Sequence, residues 1–173
     1  MTDFIYTNNP ARIIFGAGSV QRVAEEVKAL GCQRALLLST PFQREDAERL
    51  TDALGGLSVG VFSRATMHTP VQVTDEAMRT YLELGADCVV AIGGGSTIGL
   101  GKAIAYRNDA PQVVVPTTYA GSEVTPILGQ TENGIKTTVS SPSILPEVVI
   151  YDPELTLGLP VPMSITSALN AMA

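Results

Sequence analysis

The chain has 173 residues, and its 11 basic and 17 acidic side chains give it a net charge of −6. This excess of negative charge argues against binding to nucleic acid, because such binding depends mainly on lysine and arginine. With 45% hydrophobic and only 16% charged residues, the chain is expected to fold around a core and not to be disordered.

The sequence shows no recognisable signal for membrane insertion or for secretion. No apolar run approaches the roughly 20 residues that a membrane-crossing helix needs. The first residues, Met1–Phe4, lack the basic and apolar regions of a secretion signal. The two cysteines, Cys32 and Cys88, cannot form a disulfide framework. We therefore expect a cytoplasmic protein without a membrane partner.

Strand and helix patterns alternate along the first two thirds of the chain. Strands are predicted at 12–15, 35–38, 57–62, 88–92 and 113–115, and helices at 19–30, 42–54, 74–84 and from 96 to about 106. Several of the strands are unbroken apolar runs, which is typical of parallel strands covered on both faces. The alternation predicts an α/β fold, a Rossmann-like, doubly wound and mainly parallel sheet with helices on both faces.

The pattern changes after Pro116. Asn133-Gly134 is a strong signal for a two-residue hairpin turn, and it predicts a β-hairpin near 128–139. A last strand is predicted at 147–151. A further helix is expected to begin at Ser164, and the sequence given ends within it. We therefore expect residues 1–160 to form one domain and residues 161–173 to begin a second, helical one.

A run of glycines stands between a buried strand and a helix, at Gly93-Gly94-Gly95-Ser96-Thr97. Glycines let a backbone approach a ligand closely, and a helix N-terminus offers free N–H groups to a phosphate. In open α/β sheets, ligands bind at the carboxyl ends of strands, where this loop falls. The loop is predicted to bind phosphate; a tight turn that binds nothing is the alternative.

Two better-known phosphate motifs are not complete in this chain. The glycine run lacks the lysine and the spacing of a P-loop. The early Gly16-Ala17-Gly18 could begin a G-x-G-x-x-G string, but Gln21 stands where the third glycine is needed. That segment is equally well explained as a strand-to-helix turn.

Hydroxyl side chains follow the next strand, in Pro116-Thr117-Thr118-Tyr119-Ala120-Gly121-Ser122-Glu123. At the carboxyl end of a strand they can bond phosphate or ribose oxygens, although a threonine-rich capping loop would have the same composition. The single histidine, His68, is interpreted as a turn residue before Thr69-Pro70. A metal site with several histidines cannot be completed within this chain.

These segments together resemble the group III, or iron-containing, alcohol dehydrogenase superfamily, and within it the maleylacetate reductase branch. The motifs that carry the resemblance are Gly93–Ile98 with Lys102-Ala103, Thr117–Glu123 with Val124-Thr125, Ser39-Thr40-Pro41, His68-Thr69-Pro70 and Leu169-Asn170-Ala171-Met172-Ala173. The likeness spans essentially the whole chain.

The resemblance implies a two-domain enzyme whose N-terminal α/β domain binds NADH or NADPH. By this likeness Gly94, Gly95 and Ser96 hold the pyrophosphate. Thr117 and Thr118 contact phosphate and the nicotinamide-side ribose, to which Lys136 is also assigned. Ser39 takes the adenosine-ribose position. Catalytic residues are expected mostly beyond Ala173, in an all-helical domain. A homodimer is expected at full length.

Two departures from the family pattern concern the site. Many relatives have aspartate where this chain has Gly99. Metal-binding relatives begin their ligand set with an aspartate where Asn170 stands, and a neutral amide is a poorer ligand for a divalent cation than a carboxylate. A catalytic metal is therefore not expected.

The implied reaction is NAD(P)H-dependent reduction of 2-maleylacetate to 3-oxoadipate, and the expected partner is maleylacetate or a similar small dicarboxylate. Ser39 and Thr40 are neutral where an acidic residue would favour NADH, so both cofactors are expected to bind. Two alternatives remain open: a nucleotide-binding module without turnover, and an alcohol dehydrogenase of the same superfamily with another substrate. A kinase-like phosphate loop is disfavoured, because no aspartate lies inside the glycine run.

Overall fold

A computed structural model describes residues 11–119 and 121–172. The segment Met1–Phe4, used above to predict the absence of a secretion signal, lies outside the described residues. Among the described residues, no helix is both long and apolar enough to cross a membrane.

The centre of the molecule is a six-stranded parallel sheet with the strand order β1-β8-β5-β4-β2-β3. Its strands are β1 (Arg12–Phe15), β2 (Ala35–Leu38), β3 (Ser58–Phe62), β4 (Cys88–Gly93), β5 (Gln112–Pro116) and β8 (Val148–Tyr151). A separate antiparallel hairpin consists of β6 (Ile127–Glu132) and β7 (Ile135–Ser140). The predicted parallel sheet and the predicted hairpin are both confirmed.

Helices cover both faces of the sheet, as the unbroken apolar strands predict. They are α1 (Val23–Ala29), α2 (Arg44–Leu54), α3 (Val71–Glu83), α4 (Gly95–Asn108) and α5 (Val161–Met172). Helices α1 and α2 pack on one face of the sheet, and α3 and α4 pack on the other. Alternate side chains of β4 enter the two cores, Val90 on one side and Val89 on the other.

Several predicted boundaries were wrong by one turn. Helix α3 begins at Val71 after Pro70, so Thr74 does not cap it; the buried Thr74 hydroxyl instead donates to the Pro70 carbonyl at 3.3 Å. Helix α5 begins at Val161 rather than at Ser164, because Pro160 fixes a helix start earlier than the serine does. The segments 19–22 and 41–43 are 3-10 turns that precede α1 and α2.

The connections place one crevice at the carboxyl edge of the sheet. From β2 the chain moves outward to β3, and from β4 it moves the opposite way to β5. Strands β2 and β4 are neighbours, so the loops that follow them lie side by side where the direction of winding reverses. Ligands of open α/β sheets bind at such a switch point.

Candidate functional site

The glycine run after β4 is shaped partly by its own protein neighbours. Gly93 has a φ of 148°, and a Cβ there would lie 2.6 Å from Thr97 Oγ1 and 2.7 Å from Gln43 Oε1. A Cβ on Gly94 would lie 2.9 Å from Thr118 Cγ2. At these two positions the close approach is to other parts of the same chain, which leaves no room for a side chain.

Gly95 differs from the two glycines before it. A Cβ on Gly95 would meet nothing within 4 Å, and Gly95 and Ser96 line both cavities described below. They begin the 14-residue helix α4, whose first N–H groups have no partner within the helix. The space in front of Gly95 therefore suits an anionic group such as a phosphate.

The threonines after β5 are joined to the β2 loop by a side chain that the sequence did not single out. Gln43 Nε2 donates to Thr117 Oγ1 at 2.8 Å, and Thr40 Oγ1 donates to Gln43 Oε1 at 3.2 Å. The buried hydroxyl of Thr118 has no hydrogen-bond partner among the described residues. No local motif marks Gln43, because its contact with Thr117, 74 residues further along the chain, exists only where the loops after β2 and β5 converge at the edge of the sheet.

Ser39 lies beneath the crevice and not on its wall. It is fully buried, its N–H donates to the Phe62 carbonyl at 3.1 Å, and its carbonyl accepts from Ala65 N at 3.0 Å. Its hydroxyl is enclosed without a partner among the described residues. The next residue, Thr40, is the one that lines the cavity. The assignment of Ser39 to the ribose stays a prediction, and Thr40 is the better placed of the two.

The larger cavity has a volume of about 1030 Å³ and lies between the loops after β2, β4 and β5 and the start of α5. Much of its wall is apolar. Its apolar lining includes Pro41, Phe42, Leu155, Leu159 and Met163. Phe42 is 98% exposed, so its ring is free to contact a ligand. Asp46 also lines this cavity, but its carboxylate is paired with Arg49 at 3.3 Å.

The smaller cavity has a volume of about 290 Å³ and lies on the other side of Gly95 and Ser96. His68, Lys102 and Lys136 line it, and none of its lining residues is acidic. Lys136 belongs to the hairpin strand β7, and its assignment to the nicotinamide-side ribose stays a prediction.

Lys102 is a fully buried lysine in the wall of the smaller cavity. Its Nζ donates to the carbonyl oxygen of Ser122, to that of Thr125 at 2.8 Å and to that of Ile127 at 2.9 Å. Burial lowers its pKa to about 8, and the nearby Glu123 carboxylate opposes that change. The lysine therefore ties helix α4 to the loop that leads into the hairpin.

The candidate metal position lies apart from these cavities. Asn170 is an exposed residue of α5. Among the described residues, the group of three potential metal ligands is Cys32, Asp87 and Cys88, whose ligand atoms lie within 4.8 Å of one another. Cys88 begins β4 and Cys32 precedes β2, so the group stands at the edge of the sheet opposite the glycine run. The expectation that no catalytic metal is needed stays a prediction.

The fold and the position of the glycine run define a Rossmann-like α/β domain with its candidate site at the carboxyl edge of the sheet. Residues 10–153 match the family model of the iron-containing alcohol dehydrogenases. The chain belongs to this family, as the resemblance predicted.

Relatives of known name support a closer placement within the family. The chain is 69% identical over all of its 173 residues to maleylacetate reductase from Rhizobium sp. strain MTP-10005, and covers 49% of that protein. The crystal structure of maleylacetate reductase from Agrobacterium tumefaciens is 67% identical with a TM-score of 0.97, over 99% of this chain and 49% of that one. The chain thus spans about half the length of these relatives and corresponds to their N-terminal part.

A more distant relative has been solved with a cofactor bound. Sulfoacetaldehyde reductase from Bifidobacterium kashiwanohense, solved in complex with NAD+, is 26% identical with a TM-score of 0.90, over 97% of this chain and 51% of that one. The relatives named here are reductases, and this chain corresponds to about half of each of them.

Proposed function

We propose that this chain is the cofactor-binding half of an NAD(P)H-dependent reductase that converts 2-maleylacetate to 3-oxoadipate. The observation that carries the proposal is the open space in front of Gly95, at a helix N-terminus between two cavities of different character. Identities of 69% and 67% to maleylacetate reductases support the choice of substrate.

The cofactor fits the residues present. Its pyrophosphate would lie in front of Gly95 and Ser96, where the free N–H groups of α4 can donate to it. Thr117 is held by Gln43, and the unpartnered Thr118 hydroxyl adds hydrogen-bonding capacity beside the same loop. The adenosine half would occupy the larger cavity against Phe42, with Thr40 near its ribose. Lys136 would stand near the other ribose.

When bound, NADH or NADPH supplies the hydride that reduces the carbon–carbon double bond of maleylacetate. Gly95, Ser96 and Lys136, which line the smaller cavity, would hold and orient the cofactor beside it. A proton must then reach the substrate, and the group that delivers it is expected beyond Ala173. No catalytic metal is proposed for this step, since Asn170 is an amide.

The division into a cofactor domain at 1–160 and a helical domain from 161 onward is part of the proposal. Tyr119 N donates to Ser167 Oγ at 2.8 Å, and Met163 lines the larger cavity, so α5 stands where a second domain would close the crevice. We further propose a cytoplasmic homodimer at full length and tolerance of both NADH and NADPH, because Thr40 is neutral.

The deciding experiment compares this 173-residue chain with the chain extended through its natural reading frame. NADH oxidation in the presence of maleylacetate is expected only for the extended chain, and NADH binding by calorimetry is expected for both. Equal turnover per site would contradict the two-domain proposal. Binding without turnover in the extended chain would support a binding module, and turnover with a simple aldehyde but not maleylacetate would indicate another family activity.

Elemental analysis of the extended chain tests the metal prediction. Full activity after treatment with a chelator, with less than one equivalent of iron or zinc bound, is the expected result. Loss of activity together with loss of stoichiometric metal would show that Asn170 does not prevent metal binding.

A further inference from the structure

The segment that carries the only histidine has an unusual backbone. His68 and Thr69 are consecutive non-glycine residues with φ angles of 66° and 44°. This left-handed region is unfavourable for most side chains, above all for a β-branched residue such as Thr69. Strain of this kind persists only where the surrounding structure imposes it, and it is concentrated at binding sites.

Contacts with two neighbouring elements hold the segment in place. The Thr69 side chain fills the space beside Gly99 of α4, where a Cβ would lie only 2.5 Å from Thr69 Oγ1. The Thr69 carbonyl accepts from Thr131 N of the hairpin at 3.2 Å. Thr69 is therefore buried, while the side chain of His68 remains exposed on the wall of the smaller cavity.

The smaller cavity has a charge opposite to that of the chain as a whole. The chain carries a net charge of −6, yet the described residues that line this cavity include two lysines, a histidine and no carboxylate. The ammonium of Lys102 is already occupied by carbonyl oxygens of Ser122, Thr125 and Ile127. None of the ion pairs among the described residues involves Lys136. His68 is thus available to an incoming anion, together with Lys136, whose ammonium has three N–H donors and can contact both the cofactor ribose and the anion.

We infer that the smaller cavity binds one carboxylate of the substrate between His68 and Lys136, and that His68 is a specificity-determining residue. The inference rests on the proposed function, in which the substrate is a small dicarboxylate. It adds a binding role to a histidine that the sequence suggested was only a turn residue. This role explains the strained backbone at His68 and Thr69, because that backbone directs the imidazole of His68 toward the cavity.

The test uses the full-length enzyme with His68→Asn. Asparagine tolerates the left-handed backbone but lacks the imidazole ring and its N–H donor. The expected result is an increase in KM for maleylacetate of about tenfold or more, the usual effect of losing a charge-assisted hydrogen bond. The affinity for NADH should be unchanged. Lys28→Gln, which removes a positive charge from an exposed position of α1, should leave both constants at the wild-type values.

A second variant, His68→Gly, removes the imidazole and also relieves the backbone strain, so it should fold at least as well as the wild type. It is expected to show the same increase in KM. If either correctly folded variant keeps the wild-type KM, the inference is wrong. If the affinity for NADH falls while KM for maleylacetate stays constant, the cavity serves a cofactor phosphate, which also overturns it.

A substrate-free measurement separates this inference from the proposed function. Maleate, a dicarboxylate, and isocrotonate, its monocarboxylate counterpart with the same cis double bond, are titrated into the enzyme in the presence of NAD+. Maleate should bind the wild type more tightly than isocrotonate does, and His68→Asn should remove the difference. Failure of the wild type to reduce maleylacetate would refute the proposed function alone. Equal maleate binding by wild type and variant would refute the role of His68 alone.

Discussion

The two cavities that meet at Gly95 differ in size and in chemistry. The larger one, about 1030 Å³, is walled largely by apolar side chains such as Phe42 and Leu159. The smaller one, about 290 Å³, presents two lysines and a histidine. An apolar wall selects a ligand by shape and contact area, whereas an excess of positive groups selects by charge. The glycine run thus separates a compartment suited to a large, flat ligand part from one suited to an anion.

The largest expected effect comes from blocking the point that both cavities share. Gly95→Val should lower the affinity for NADH by at least about a hundredfold, because the side chain would occupy the space proposed for the pyrophosphate. The fold should survive, since a Cβ at this position meets nothing within 4 Å. Isothermal calorimetry measures the affinity, and thermal unfolding checks the fold.

Gly56→Val is the matched control for this substitution. Gly56 also has open space around its Cβ position but lies at the end of α2, outside both cavities. The affinity of the Gly56→Val variant for NADH should equal that of the wild type. An unchanged affinity in Gly95→Val would show that the cofactor does not pass in front of this glycine.

A smaller effect should separate the two cavities. Phe42→Ala is expected to weaken NADH binding by roughly three- to tenfold, the usual value of one aromatic stacking contact, without changing KM for maleylacetate. Because Phe42 is 98% exposed, its removal should not destabilise the fold. Leu82→Ala, at an exposed position of α3, serves as the control. A change in KM for maleylacetate alone would mean that the larger cavity holds the substrate.

The last expected effect concerns stability and not binding, and it comes from the buried charge beside the smaller cavity. The pKa of Lys102 is about 8 in the folded state against an ordinary 10.5. Between these values the unfolded chain holds a proton that the folded chain has released, so the lysine should make the free energy of unfolding rise with pH. From pH 8 to pH 9.5 its contribution should be about 1 to 2 kcal/mol, and below pH 8, where the lysine is protonated in both states, it is constant. Burial raises the pKa of the Cys32 and Cys88 thiols, which act in the opposite direction, so the contribution of the lysine is read as the difference between the wild type and a variant without it.

Urea unfolding of the full-length protein across this range measures the effect, with Lys102→Met as the comparison. In Lys102→Met, the part of the rise in the free energy of unfolding that is due to the lysine should be absent. Measurements should stop below pH 10, because burial and Glu123 raise the pKa of Tyr151 and its titration changes stability in the opposite direction. The same slope in wild type and variant would contradict the lowered pKa of Lys102.

The sequence predicted those features that depend on local pattern. Buried strands such as Cys88–Gly93 can be recognised from their unbroken apolar runs, and Asn133-Gly134 is a sequence that favours a hairpin turn. Both residues of that turn have positive φ angles, 50° and 78°, as a tight hairpin turn of this kind requires. The glycine run was recognised for the same reason, since composition alone marks it.

The features that were missed depend on which strands become neighbours. Gln43 reaches Thr117 only because the loops after β2 and β5 converge at the crevice. The burial of Ser39 follows from hydrogen bonds to Phe62 and Ala65, which no local pattern reveals. The predicted start of α3 at Thr74 was wrong, because Pro70 precedes the first helical residue, Val71, and gives no apolar periodicity from which the start could be read.

The contact between Thr69 and Gly99 couples the substitutions that evolution can make at these two positions. With only 2.5 Å between Thr69 Oγ1 and the place of a Cβ at 99, any larger residue at 99 requires Thr69 to move, and His68 moves with it. A lineage that acquired a side chain at 99 would therefore have to remodel the 67–70 segment at the same time. This mutual dependence is a form of epistasis between two residues in the wall of the site. We therefore expect glycine at 99 and threonine at 69 to be inherited together.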